Sequence, residues 1–272
     1  MKKSFLTFLT VVVGLGLVFG AAGAAKTITI KGSTTVLPIA QSCAEAFMNQ
    51  HADIDISVAG GGSGVGIASI IDGTADIGDA SRPIKDKEKA KAKENGIDAY
   101  ENIVAADGIA VIVNPKNAVS ELTMDQIKGI YTGKINNWKE VGGRNKRIVV
   151  VSRDSSSGTF EAFNELALDK EKVRPDALMN ASNNAVAQTV ASTPDAIGYI
   201  GIGYMSDATK DIVVNGIKCT KDNVVNGTYP IARNLYMYTQ GAPAGVVKEF
   251  IDFILSPEGQ KLVDKAGFVA IK

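Results

Sequence analysis

The stretch from Arg153 to Phe160 constrains the fold more than any other part of the chain. It reads Arg-Asp-Ser-Ser-Ser-Gly-Thr-Phe and follows an apolar, β-branched run at 148–151, which is typical of a strand buried on both faces. Apolar residues then recur at helical spacing up to Ala167. The pattern therefore predicts a strand, a hydroxyl-rich turn and a helix, in that order.

A turn of this kind is suited to binding anions. The first N–H groups of a helix lack intrahelical partners, and the helix dipole is positive at that end. Arg153 would add a planar, permanently charged group that fits tetrahedral oxyanions. The alternative is a well-capped helix with a surface arginine, because serine is a common N-cap residue. Two further turns of similar type, at 32–35 and 60–66, favour anion binding.

The N-terminus has the three parts of a secretory signal peptide. Two lysines precede an apolar run at 5–19, and small residues follow at 21–25. We predict cleavage after Ala24 or Ala25 and a soluble protein that is periplasmic or otherwise extracytoplasmic. An uncleaved membrane anchor is the alternative, although the apolar run is short for a span.

Composition excludes several functional classes. Without the signal peptide the chain has 27 basic and 29 acidic residues and no basic run, so no nucleic-acid partner is expected. His51 is the single histidine, and no residues have metal-ligand spacing, so we predict neither a metal nor another cofactor. The length of 272 residues suits two lobes better than one, and a monomer is expected.

Cys43 and Cys219 are the only cysteines. An oxidising compartment would permit a disulfide. Cys43 shares a helical face with apolar residues, however, and Cys219 alternates with Ile217 in a strand that we assign to the other lobe. We therefore expect two unpaired, buried thiols.

Strands alternate with helices along the whole chain, which predicts an α/β fold with a largely parallel sheet in each lobe. The glycine-rich run at 60–66 matches neither G-x-G-x-x-G nor a phosphate loop ending in Gly-Lys-Ser/Thr. Its glycines would let the backbone approach a ligand closely, or they form only a flexible turn. The strand at 235–238 is expected to return the chain to the first lobe.

Several motifs together resemble one known family. They are Gly32-Ser33-Thr34-Thr35-Val36-Leu37-Pro38, Gly61-Gly62-Ser63-Gly64, Asp76-Ile77-Gly78 through Ser81-Arg82-Pro83, Arg153 through Thr159, 130–138 and Ala196-Ile197-Gly198-Tyr199. This set is similar to that of the phosphate-binding proteins of ABC phosphate importers, in the periplasmic binding protein superfamily. The resemblance covers essentially the whole chain after the signal peptide.

The resemblance implies a type II-like fold with two α/β lobes, two crossing hinge strands and a ligand cleft between the lobes. We assign 1–25 to the signal peptide, 26–106 and 233–272 to lobe 1, and 107–232 to lobe 2. The implied partners are inorganic phosphate and the membrane permease of an ABC importer. The implied ligand groups are Ser33, Thr34, Thr35, Ser63, Ser81, Arg153, Ser157, Gly158 and Thr159.

One position departs from the family pattern. Some members have an aspartate where this chain has Ser81, and that carboxylate accepts the proton of bound hydrogen phosphate. The nearest candidates here are Asp107 and Asp79. We expect Asp107 to act either as this acceptor or as a salt-bridge partner of Arg82, and both residues are added to the predicted ligand site.

Two other functions stay open. The same fold would also suit sulfate, molybdate or another tetrahedral oxyanion. A secreted hydrolase using a serine of 155–157 is the other alternative. Ser–His–Asp chemistry needs a histidine as general base, and His51 follows the first helix, away from the serine turns. No catalytic residue is therefore predicted.

Overall fold

The computed structural model describes residues 26–271, so the predicted signal peptide at 1–25 lies outside it. The strands are β1 (Lys26–Gly32), β2 (Ile54–Gly60), β3 (Ile77–Ala80), β4 (Ala99–Val113), β5 (Glu121–Leu122), β6 (Val149–Arg153), β7 (Leu178–Asn180), β8 (Ala196–Gly201), β9 (Lys210–Asp211), β10 (Val213–Val214) and β11 (Ala232–Gln240). The α-helices are α1 (Leu37–Gln50), α2 (Ser63–Ile71), α3 (Asp86–Glu94), α4 (Met124–Thr132), α5 (Gly158–Ala167), α6 (Asn183–Ser192), α7 (Lys221–Val225), α8 (Gly245–Leu255) and α9 (Pro257–Lys265). Within residues 26–271, every helix is too short or too polar to cross a membrane.

Nine strands form one sheet in the order β2-β1-β3-β11-β4-β8-β6-β7, with β9 beside β4. In the first half of the sheet, β1 is parallel to β2 and β3. In the second half, β6 is parallel to β7 and β8. The prediction of largely parallel sheets is wrong for the two middle strands, because β11 is antiparallel to β3 and β4, and β4 is antiparallel to β8.

The two middle strands carry the chain between the halves. Residues 99–108 of β4 pair with β11, whereas residues 109–113 pair with β8. Because β4 leaves the first half and β11 returns to it, the two must run in opposite directions. The expected pair of crossing strands is thus confirmed, and α8 and α9 pack on α1 after the return. The lobe boundaries at 106/107 and 232/233 stay a prediction.

The glycine-rich run is largely helical rather than a loop. Gly62, with a φ of 97°, is the N-cap of α2, and Gly64 and Gly66 lie inside this helix. A Cβ on Gly66 would lie 2.5 Å from the Asp79 carbonyl oxygen and 2.7 Å from that of Lys31. Glycine is therefore needed here because α2 packs directly against the backbone of β1 and β3.

Both cysteines are buried and free, which confirms the expectation of unpaired thiols. Burial raises the pKa of the Cys43 thiol on α1 to about 12. Cys219 lies in irregular backbone between Ile217 and α7, so its assignment to a strand was wrong. Its sulfur fills the space above Gly108, where a Cβ would lie only 2.7 Å away.

Asp79 is a buried carboxyl group in the first half of the sheet. It pairs with Gly32 of β1 and Met237 of β11, and its side chain is 1% exposed. Its Oδ1 has no hydrogen-bond partner among the described residues. Burial therefore raises the pKa of Asp79 well above its usual range.

We expect Asp79→Asn to stabilise the protein at neutral pH. The folded protein holds the Asp79 proton to a higher pH than the unfolded chain does. Stability is therefore greatest below the ordinary aspartate pKa and falls as the pH rises toward the raised value, by up to about 1.4 kcal/mol per pH unit. Calorimetric unfolding at pH 4.5 and 7.5 should show the variant gaining stability over wild type as pH rises. The control is Asp207→Asn, since Asp207 is exposed. The prediction would be contradicted if the stability difference between Asp79→Asn and wild type were the same at both pH values, or if the control showed the same change with pH.

Candidate anion-binding site

The N-termini of four helices converge where the two halves of the sheet meet. The turn before α1, the first residue of α2 and the turn after β3 belong to the first half, and the starts of α5 and α6 belong to the second. Parallel strands end at the same edge of a sheet, so the turns that follow them are brought together. The buried polar residues gathered here are Ser33, Thr34, Thr35, Ser63, Ser81, Arg153, Ser157, Thr159 and Asn183.

The predicted turn after β6 has the expected geometry. Ser157 is the N-cap of α5, and its hydroxyl accepts a hydrogen bond from the Phe160 N–H at 3.1 Å. The N–H of Glu161 bonds to the Ser157 carbonyl, so the N–H groups of Gly158 and Thr159 precede the intrahelical ladder. These two donors lie at the positive end of the α5 dipole.

Serine hydroxyls shape the turns of the first half. Ser33 Oγ accepts from the Thr35 N–H at 3.1 Å and so closes the turn into α1. Ser63 Oγ accepts from the Ser81 N–H at 2.9 Å and shares a hydrogen bond with Ser81 Oγ at 3.2 Å. The turns before α2 and after β3 are thereby fixed to each other.

The two sets of turns are in contact. Thr35 Oγ1 and Thr159 Oγ1 share a hydrogen bond of 3.0 Å across the two halves. A Cβ on Gly158 would clash with Ser63 Oγ and lie 2.7 Å from Ser81 Oγ. Only glycine therefore lets the start of α5 come this close to the serines of the first half.

Arg153 supplies charge to this cluster. The residue is 1% exposed, and its guanidinium is oriented by the Asn180 carbonyl at Nε and the Ala181 carbonyl at Nη2, both at 3.0 Å. Nη2 also donates to Thr34 Oγ1 at 3.3 Å, whereas Nη1 is buried without a partner among the described residues. Burial lowers the pKa of Arg153. Within residues 26–271 its guanidinium donates to two carbonyls and a hydroxyl and to no carboxylate, so its charge remains available to an anion.

The structure corrects the expected pairing of Asp107 with Arg82. Asp107 Oδ2 accepts from Arg233 Nη2 at 2.8 Å and Nε at 3.0 Å, and Oδ1 accepts from the Ile202 N–H at 2.9 Å. Arg82 instead donates to Glu88 through both terminal nitrogens at 2.8 Å. The Arg82 guanidinium is therefore bound by Glu88 and does not pair with Asp107.

Arg82 also contributes to a contact between the two halves. Its Nε lies 2.6 Å from Glu161 Oε2 on α5. This contact is an ion pair rather than a hydrogen bond, because the Nε–H is not directed at the oxygen. Lys85 Nζ lies 2.7 Å from the same carboxylate oxygen. An open groove of about 810 Å³ borders these side chains and gives solvent access to them.

Three residues of the cluster were missed by the sequence analysis. Arg233 Nη2 reaches Thr159 Oγ1 at 3.0 Å and Thr35 Oγ1 at 3.3 Å. Asn183 Nδ2 donates to Thr35 Oγ1 at 2.9 Å, and the Tyr204 hydroxyl donates to the Thr34 carbonyl. A fourth strand-turn-helix pattern, with Ser182 as N-cap of α6, would have indicated Asn183.

The cluster has an excess of positive charge. It contains two buried guanidinium groups, Arg153 and Arg233, and one buried carboxylate, Asp107. Burial raises the pKa of Asp107 while Arg233 opposes the rise, and the three N–H donors aimed at this carboxylate favour its ionised form. With the helix N-termini and hydroxyl donors, the arrangement is suited to an oxyanion rather than a cation.

Comparison with known proteins identifies the family. The PBP superfamily domain matches residues 18–258. The phosphate-binding protein PstS of Bacillus subtilis is 37% identical over 254 residues, which cover 93% of this chain and 83% of that protein. The chain belongs to this family of phosphate-binding proteins.

Solved structures of the family agree with the fold. A Clostridium perfringens protein described as a phosphate ABC transporter substrate-binding protein, with bound phosphate, has a TM-score of 0.85 and 38% identity. The match covers 91% of this chain and 100% of that one. An ABC-type phosphate transport receptor of Vibrio cholerae has a TM-score of 0.74 and 35% identity, covering 89% and 99%. The predicted α/β periplasmic-binding-protein fold is thus confirmed.

Proposed function

We propose that this protein captures inorganic phosphate outside the cytoplasmic membrane and delivers it to the permease of an ABC importer. It acts as a soluble, exported binding protein without catalytic activity. The names of the Bacillus subtilis and Clostridium perfringens relatives support this function. A monomer that binds no nucleic acid is part of the same proposal.

One observation carries the proposal for this chain. Arg153 is buried among hydroxyls and helix N-termini, yet its Nη1 has no partner among the described residues. An unpaired buried donor on a cation is costly, and a tetrahedral oxyanion would complete it with a charge-assisted hydrogen bond. The proposed ligand groups are Thr34, Thr35, Ser63, Ser81, Arg153, Ser157, Gly158 and Thr159, with Ser33 shaping the first turn.

The serine hydrolase alternative lacks a base near these serines. His51 lies at the C-terminal end of α1, where its ring stacks on Phe47 with a centroid distance of 4.2 Å. The hydroxyl cluster lies at the opposite end of this 14-residue helix, about 20 Å away at 1.5 Å per residue. A histidine in that place does not support acyl transfer at 155–157.

Calorimetric titration of the purified mature protein with phosphate, arsenate, sulfate and molybdate tests the proposal. We expect phosphate and arsenate to bind most tightly, with one ion per chain. Preferential binding of sulfate or molybdate would assign the protein to another oxyanion. Hydrolysis of aryl phosphates or esters without stoichiometric anion binding would favour an enzyme.

We expect Glu161→Gln to weaken phosphate binding by about two- to fivefold, because partly exposed ion pairs contribute about 0.5–1 kcal/mol. The contacts of Glu161 with Arg82 and Lys85 join the two halves and stabilise the arrangement that encloses the ligand. Stopped-flow measurement should show the loss in the dissociation rate, and the loss should shrink in high salt.

The matched control for this prediction is Glu165→Gln, one turn further along α5. Glu165 pairs with Lys170 of the same half, at 3.1 Å. An equal effect of both substitutions, or an effect confined to the association rate, would contradict a role of Glu161 in closure.

A further inference from the structure

Arg233 and Asp107 form a buried pair on the two crossing strands. They are direct neighbours in the antiparallel pairing of β11 with β4. The Arg233 side chain is 6% exposed and that of Asp107 is fully buried. Asp107 accepts two N–H bonds from Arg233 at Oδ2 and one from the Ile202 backbone at Oδ1, so each of its oxygens accepts a hydrogen bond.

The guanidinium of Arg233 contacts both sets of anion-binding turns. Nη1 donates to the Ser81 carbonyl at 3.0 Å in the first half. Nη2 lies within hydrogen-bond distance of Thr35 Oγ1 in the first half and Thr159 Oγ1 in the second. Nη2 has only two protons, and one is directed at Asp107, so the two threonines share the other.

This contact fixes the direction of the threonine protons. An arginine donates and cannot accept, so Thr159 must present a lone pair to Arg233. Thr35 accepts from Asn183 as well. Of the two hydroxyl protons, one forms the bond between the threonines, and the other is free to be donated to an oxygen with a negative charge. The pair of threonines therefore offers one hydroxyl donor to an anion.

We propose that Arg233 is a positioning residue that leaves one hydroxyl proton of the Thr35–Thr159 pair to be donated to the anion, and that Asp107 is its counter-ion rather than the acceptor of the ligand's proton. This inference rests on the proposed function as an oxyanion-binding protein. It assigns the discrimination between phosphate and sulfate to groups other than Asp107. It also explains why a carboxylate can lie so close to an anion site, since Arg233 neutralises its charge.

The test uses Asp107→Asn, Arg233→Lys and the double variant Asp107→Asn/Arg233→Met. The double variant removes the pair without leaving a buried unpaired charge, and circular dichroism with thermal melting would verify that it folds. Arg147→Met is the control, since Arg147 is an exposed arginine paired with Asp176. Phosphate affinity is measured by calorimetry and sulfate affinity by competition with phosphate. Wild type is titrated first, so that failure to bind either anion refutes the proposed function independently.

We expect the double variant to lose at least 30-fold in affinity for both anions. Arg233→Lys should lose less affinity, because lysine keeps the positive charge but has fewer donors in a fixed geometry. Asp107→Asn should change both affinities by the same factor, within threefold. A loss of tenfold or more for phosphate with sulfate unaffected would make Asp107 the proton acceptor and overturn its role as counter-ion. Phosphate binding by the double variant within threefold of wild type would overturn the positioning role of Arg233.

Discussion

Arg153→Ala is expected to weaken phosphate binding by about 30- to 5,000-fold. Removing one partner of a buried, hydrogen-bonded charge pair costs on the order of 2–5 kcal/mol. Arg153 is held in place by two backbone carbonyls, and its Nη1 is a buried donor without a partner among the described residues. Calorimetric titration with phosphate measures the effect.

The control for this prediction is Arg147→Ala, an arginine near the start of the same strand whose side chain is exposed. It should bind phosphate as wild type does. Arg153→Lys should recover part of the affinity, because it keeps the charge but loses the planar pair of donors. Phosphate binding by Arg153→Ala within a few fold of wild type would refute the central role of Arg153.

Gly158→Ala is expected to reduce phosphate affinity by roughly 5- to 150-fold, since inserting a methyl group into a packed site costs about 1–3 kcal/mol. The added Cβ would clash with Ser63 Oγ and Ser81 Oγ and force the two halves apart. Alanine favours helix over glycine by about 1 kcal/mol, so the melting temperature should not fall. Phosphate affinity would thus fall without a loss of thermal stability.

Gly64→Ala is the matched control for Gly158→Ala. Gly64 also lies where the two halves of the sheet meet. A Cβ added to it would be 3.4 Å from the Ser156 carbonyl oxygen, which is an ordinary van der Waals contact. Small-angle scattering should show compaction on adding phosphate for wild type and Gly64→Ala, but not for Gly158→Ala. Compaction and wild-type affinity in Gly158→Ala would mean that the site does not require this close approach.

Local patterns in the sequence predicted the turns of the site well. The order of strand, hydroxyl-rich turn and helix is a property of neighbouring residues, so 153–159 could be assigned without knowledge of the fold. The turn before α1 and Ser63 at the start of α2 were assigned in the same way. Their convergence followed from the resemblance to a family, because sequence periodicity does not say which strands are neighbours.

Contacts between distant residues were beyond such patterns. Arg233 and Asp107 are 126 positions apart and meet only because β11 pairs with β4 in one register. The sequence analysis also missed the antiparallel pairing of β11 with β4. Hydrophobic alternation predicts a strand, but it does not give the direction of that strand relative to its neighbour. Arg82 was added to the predicted site as a possible partner of Asp107, whereas its guanidinium binds Glu88, which lies on the following helix.

A crystal structure grown with arsenate in place of phosphate, using anomalous scattering from arsenic, tests the location of the site most directly. The account predicts one strong arsenic peak per chain between Arg153, the Gly158 and Thr159 N–H groups, and the hydroxyls of Ser63 and Thr35. Arg153 Nη1 should lie within hydrogen-bond distance of an arsenate oxygen. A peak elsewhere on the chain, or one that leaves Arg153 Nη1 without an anion contact, would contradict it.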